Sequence, residues 1–175
     1  MPHVQLTEAI VLRKRPLLNK DMFITLFTLE EGKRLAVAKG VKNPTSRRAP
    51  HLQTGNLITV ALSARGERSY IQQTTLITAF SSIRENSAKI DLLYLFLYIV
   101  DRILPESQPE QTIFTLAKKY MADLARIENP DREFITPYLH RILQLLGYAD
   151  EPASLEDLIR IVEETIHEKI PHRII

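Results

Sequence analysis

The chain has 175 residues, of which 45% are hydrophobic and 25% charged, a balance that fits one folded domain or two small ones and excludes a largely disordered polymer. It contains no cysteine, which excludes disulfides and thiolate metal sites and fits a reducing cytoplasm. The formal charge of +2 conceals a division: residues 1–80 hold 12 Lys/Arg against 5 Asp/Glu (+7), and residues 81–175 hold 11 against 16 (−5). A basic half suits a polyanion, whereas an acidic half suits a protein surface or plain solubility.

The amino terminus lacks a basic region followed by an unbroken apolar core, so no secretory signal is expected. From there to Phe80 the signals are those of strands. Glu8 to Lys14 alternates Ala9 and Val11 with Ile10 and Leu12, and Met22 to Leu29 is rich in β-branched and aromatic residues. Glu30, Glu31 and Gly32 then turn the chain into Lys33 to Lys39, where Leu35 and Val37 alternate with Arg34, Ala36 and Ala38. Leu57 to Leu62 places Ile58, Val60 and Leu62 on one face. The turn Ala64 to Glu67 follows, and Ser69 to Thr78 runs back. Five short antiparallel strands in about eighty residues predict a small OB-type β-barrel, an architecture that often binds nucleic acid.

Six cations and no carboxylate fall between Lys33 and Arg48, and Gly40, Asn43, Pro44 and Ser46 mark the second half of that tract as a loop. A protein that tracks a phosphate backbone needs several cations on a fixed scaffold, because an isolated pair leaves most phosphates unneutralised. Arg34, Lys39, Lys42, Arg47 and Arg48 are therefore the predicted phosphate grip, with Lys33, Arg13, Lys14 and Arg15 extending it. The competing reading is a solvated hairpin whose lysines discourage edge pairing. Among the rings of this half, Tyr70 is the candidate for stacking on bases, while Phe23 and Phe27 share a strand face and are read as core.

Beyond Ser81 the period becomes helical. Ser87 to Leu104 is apolar around most of its circumference and predicts a central helix, and its run from Leu92 to Val100 is half the length needed to span a bilayer. Ser107 with Glu110 reads as a capping box opening a helix to about Ile127. Asn129 and Pro130 read as the start of the next, which stops at Gly147; Pro137 either kinks it or sits in a fresh first turn behind Thr136. Ser154 with Asp157 caps a last helix that reaches Ile170 and ends at Pro171. The predicted class is α+β segregated: a five-stranded OB-type barrel over residues 1–80, then a helical bundle over residues 81–175.

Catalytic chemistry has no visible constellation. The five histidines are scattered, no P-loop or nucleophile elbow is present, and only five glycines are available to cradle a phosphate. No enzyme activity, metal or cofactor is assigned.

The opening EAIVLRKRPLLNKDMFITLFTLEEGKRLAVAKGVKNPTSRR resembles the first domain of the bacterial recombination mediator family RecO: a strand ending in basic residues, the TLFT strand, a glycine turn, and AKG before a basic loop with a serine. FITPYLHRILQLLGYADEP resembles the family's apolar helix ending in LLGY, and EETIHEKIPHRII its closing helix. Many members carry a longer insertion after that helix, often with four zinc-binding cysteines. Here Asp150, Glu151 and Pro152 pass directly to the last helix, which makes the chain a minimal form.

The resemblance implies a non-catalytic DNA repair and recombination protein at the cytoplasmic nucleoid that binds single- and double-stranded DNA and anneals complementary strands. It further implies action with RecR to load RecA onto DNA coated by single-strand-binding protein, whose acidic, hydrophobic tail docks on the helical domain. In this chain Lys118, Lys119 and Arg126, beside Leu116 or Leu124, are the matching candidates for that tail, set against a merely solvated basic stripe. Two other classes stay open: a protein-interaction adaptor whose barrel meets an acidic partner, and an RNA-binding OB protein.

Overall fold

In the computed structural model, residues 4–171 are described. The chain forms strands β1 (Val4–Pro16), β2 (Met22–Thr28), β3 (Gly32–Ala38), β4 (Leu57–Arg65) and β5 (Arg68–Thr78). Helices α1 (Ser81–Arg84), α2 (Ser87–Ile103), α3 (Gln111–Arg126), α4 (Thr136–Leu145) and α5 (Leu155–Ile166) follow, with a 3₁₀ turn at Arg132–Ile135. This is the expected barrel followed by helices.

The strands close in the order β1-β2-β3-β5-β4, with β4 returning to β1. Closure is possible because β1 is longer than its alternation predicts. Its first half pairs with β4 from Val4↔Ser63 to Ile10↔Leu57, and its second half pairs with β2 as far as Pro16↔Met22. A bulge between Val11 and Arg13 gives the bend that lets one strand serve both neighbours. β3 and β5 run parallel through Ala36↔Ser69 and Val37↔Tyr70.

The barrel is filled by Ala9, Val11, Ile24, Leu26, Ala36, Ala38, Ile58, Val60, Leu62 and Ile71, and Val41 and Leu52 from the β3–β4 loop join them. On β3 it is the alanines that face inward, which turns Leu35 and Val37 outward. Small side chains at those positions relieve crowding inside a narrow barrel.

Packing divides the chain into two compact units. One holds the residues up to Ala79 together with Leu104–Gln111, and the other holds Phe80–Ile103 and the residues from Thr112 onward. The returning segment lies against the start of β3: Ser107 N–H donates to Lys33 O at 2.9 Å, and the backbones of Lys33 and Glu106 form an isolated parallel β-bridge.

The predicted capping box at Ser107 does not form. Ser107 adopts φ 59°, its hydroxyl accepts from Arg34 Nη1 at 3.0 Å, and α3 starts only at Gln111. The next start is also displaced: Asp131, rather than Asn129, accepts from Phe134 N–H and caps the 3₁₀ turn. α4 is a fresh start with Pro137 in its first turn, while Thr136 donates to Glu133 instead of capping. Gly147 does end α4, at φ 78°, with Gly147 N–H donating to Gln144 O and Tyr148 N–H to Leu143 O. Ser154 caps α5 as expected, accepting from Asp157 N–H at 3.2 Å. α5 stops a turn short of the predicted Ile170, because His167 turns left-handed and Glu163 then accepts from Ile170 N–H.

Within the helical unit, buried residues cover most of α2. Phe96 stacks on Tyr120 with centroids 4.0 Å apart, and the Tyr120 hydroxyl donates to Leu92 O at 2.9 Å.

Candidate nucleic-acid interface

The β1–β2 loop and the basic β3–β4 loop are stitched together at one end of the barrel. Asp21 accepts from Gly40 N–H at 2.7 Å, Lys42 N–H donates to Lys20 O at 2.9 Å, and Lys42 Nζ donates to Leu17 O at 2.8 Å. Lys14 Nζ donates to Gln53 Oε1, tying β1 to the far part of the same loop. With Val41 and Leu52 anchored in the core, the loop is a fixed scaffold for its charges. Five of the predicted cations, Arg13, Lys14, Lys39, Lys42 and Arg47, are exposed here, as is Lys20.

A second feature follows from register. Arg15↔Phe23, Phe23↔Val37, Val37↔Tyr70 form one row across β1, β2, β3 and β5 on the outer face, opposite the residues that fill the barrel. Arg15 Cζ lies 5.4 Å from the Phe23 centroid. Lys39 Nζ and Arg65 Cζ lie 5.0 and 5.8 Å from that of Tyr70. Each ring thus holds cations beside an aromatic face, an arrangement able to stack a base and meet its phosphate together.

Arg34, Arg48 and Lys33 stand apart from that exposed group. Arg34 is pinned by Glu31 at 3.2 Å, Ser69 Oγ at 3.1 Å and Ser107 Oγ at 3.0 Å, which makes it a fastener between β3, β5 and the returning segment. Arg48 donates to Ile71 O at 2.8 Å and Lys39 O at 2.5 Å, clamping the basic loop onto β5. Lys33 lines a groove on the β2–β3 side with Arg34 and Arg68. Charge counting in sequence cannot separate a cation that faces solvent from one that holds carbonyls.

Phe27 is fully buried, as its core reading expected, but Phe23 is only half-buried and part of the row. Arg65, within the expected turn, and Arg68, just after it, are not among the predicted cations. Their signal is their position at either side of the glycine turn, which delivers Arg65 beside Tyr70 and Arg68 to the groove.

On α3, Leu124 is fully buried and out of reach of any docking peptide, because it faces the interior of its unit. Leu116 is half-buried, Lys118 lies 5.8 Å from the Phe114 centroid, Lys119 pairs with Asp123, and Arg126 is exposed. The bond from Lys119, then the one from the Tyr138 hydroxyl, holds the Asp123 carboxyl below its usual range. Among the described residues no helix is long and apolar enough to cross a membrane, and no three His, Asp or Glu gather as a metal cage.

The family model described as Recombination protein O N terminal matches residues 1–80. The chain is 35% identical over 144 residues to the DNA repair protein RecO of Geobacter metallireducens, covering 81% of this chain and 58% of that protein. It is 29% identical over 142 residues to the RecO of a Thermoanaerobacter species (81% and 57%), and 29% identical over 143 residues to that of Frankia casuarinae (81% and 59%). The chain therefore spans less than three-fifths of these relatives' length. The family's amino-terminal model thus lies over the barrel, and the likeness to RecO proteins continues into the helices.

Proposed function

We propose that this protein acts in recombinational DNA repair by binding single- and double-stranded DNA on the cation-rich end of its barrel, and that it is not an enzyme. The observation that carries the reading is the stitched pair of loops, which presents Arg13, Lys14, Lys39, Lys42 and Arg47 on a fixed frame next to the cation-flanked rings. The role for which its relatives are named, DNA repair, agrees with a surface suited to phosphates.

Annealing follows from the same surface. Two complementary strands repel each other; a cationic face that neutralises part of both raises their local concentration while leaving base edges free to pair. In this reading the barrel is the nucleic-acid-binding domain and the helical part meets proteins: RecR, the tail of single-strand-binding protein, and through them RecA. Lys118, Lys119 and Arg126 on α3 are the cations proposed to meet an acidic tail. The protein then works at the nucleoid, in the cytoplasm.

If about five phosphates are neutralised, log affinity for single strands falls with log salt at a slope of roughly −3.5, taking about 0.7 per phosphate. Fluorescence anisotropy between low and moderate salt measures it. A flat response removes the phosphate track from the mechanism, and equal displacement of DNA by a neutral carrier protein favours an adaptor instead.

A further inference from the structure

Next to the row of rings lies a groove of about 300 Å³, at the small end for a ligand site, whose composition is unlike the cation-rich end. Its floor is apolar and comes from the outer face of β2 and β3: Phe23, Leu35 and Val37, of which Leu35 is 43% exposed. One wall is the start of β5 with Glu67, Arg68 and Ser69, and the other is the returning segment with Glu106 and Ser107. Arg34 is held in that wall by its three partners and braces both sides.

Its lining mixes charges: Lys33, Arg34 and Arg68 stand with the carboxylates Glu67 and Glu106, and since Arg34 is already engaged by Glu31, Ser69 and Ser107, the groove is less suited to a phosphate than the carboxylate-free loop. A flat, uncharged group suits the apolar floor, and carboxylate oxygens at its edge accept from amino groups rather than from carbonyls. Phe23 and Val37 belong both to this floor and to the row leading to Tyr70, so a strand lying on the cation-rich end passes the mouth of the groove.

We propose that this groove is a base pocket that takes one unstacked, amino-bearing nucleobase of a single strand. The inference rests on the phosphate reading above and adds to it a preference by strand state and by base. A paired, stacked base cannot enter, so single strands gain a contact that duplexes lack. Cytosine, adenine and guanine carry exocyclic amino groups that can donate to these carboxylates, whereas thymine offers only its ring N3–H.

The test uses the full chain and fluorescently tagged oligomers of about twelve nucleotides, all-cytosine, all-thymine and all-abasic, titrated across a range of salt. The cytosine oligomer is expected to bind at least about fivefold more tightly than the thymine oligomer, and the abasic one most weakly, all with one salt slope. Glu67→Ala with Glu106→Ala should erase the cytosine preference while leaving thymine affinity equal or higher. Leu35→Ala, at an exposed position that leaves folding intact, and Phe23→Ala should bring both base-bearing oligomers toward the abasic value. Equal affinities for all three oligomers with a steep salt slope would overturn the pocket and leave the phosphate track standing. Binding that is absent, or insensitive to salt, would overturn both.

Discussion

Neighbouring arginines in the basic loop should separate cleanly on mutation. Arg48 is half-buried and its two nitrogens donate to Ile71 O and Lys39 O at 2.8 and 2.5 Å, whereas Arg47 is exposed. A hydrogen bond involving a charged group contributes about 1.5–3 kcal/mol, and partial exposure places these at the low end, so Arg48→Ala costs about 3 kcal/mol. For a unit of this size that lowers the unfolding midpoint of the barrel by roughly 12–24 °C. Arg47→Ala should stay within about 0.5 kcal/mol of the parent, and its effect should appear in DNA binding as a salt slope shallower by about 0.7. Arg48→Lys, which keeps the charge but loses the fork, should fall between. Thermal unfolding by circular dichroism, paired with salt titrations, reads both quantities. If Arg48→Ala unfolds at the parent temperature, or if Arg47→Ala is equally damaging, the division between clamp and contact is wrong. A double substitution at both positions would mix the two effects and decide neither.

Gly32→Ala should cost about 2 kcal/mol or more, since φ is +71° and the added methyl would overlap the Gln108 carbonyl; limited proteolysis should then cut within residues 104–111. Burial first, then the bond to Asp123, pushes the Tyr138 hydroxyl up to about 12 from an ordinary 10. Its folded pKa is raised, so its stabilising contribution is complete below pH 10 and is lost as pH climbs to about 12; denaturant melts at stepped alkaline pH should show that decline, shallower in Asp123→Asn. Ser154→Ala should destabilise the helical unit by about 1 kcal/mol, while Ser154→Asn retains most of the cap; urea titration followed by helix signal distinguishes them.

The barrel was legible because its inward residues alternate strictly on β4 and its turns carry their own residue signals. Gly147 and Ser154 were legible as helix boundaries because cap chemistry there is settled within a few residues of chain. Ser107 carries an equally good local signal and failed, because a residue 73 positions away, Arg34, captures its hydroxyl. Phe23 and Phe27 could not be told apart by period either. They share a strand face, and what separates them is how far cover extends along it, which is a property of tertiary packing. The same holds for the cations: Arg47 and Arg48 are adjacent and chemically identical, and only the carbonyls opposite Arg48 give it a structural duty.

The piece formed by Leu104–Gln111 bears on how the protein is made. The start of β3 emerges from the ribosome some seventy residues before the backbone that accompanies Lys33 and the hydroxyl that Arg34 grips at Ser107. All of α2 is synthesised in between, so the first-made half cannot reach its final state by itself during translation. A fragment cut at residue 80 would keep its five strands yet present Gly32 and Arg34 without their closing contacts, and a gene fusion joined at that point would inherit the same unfinished seam.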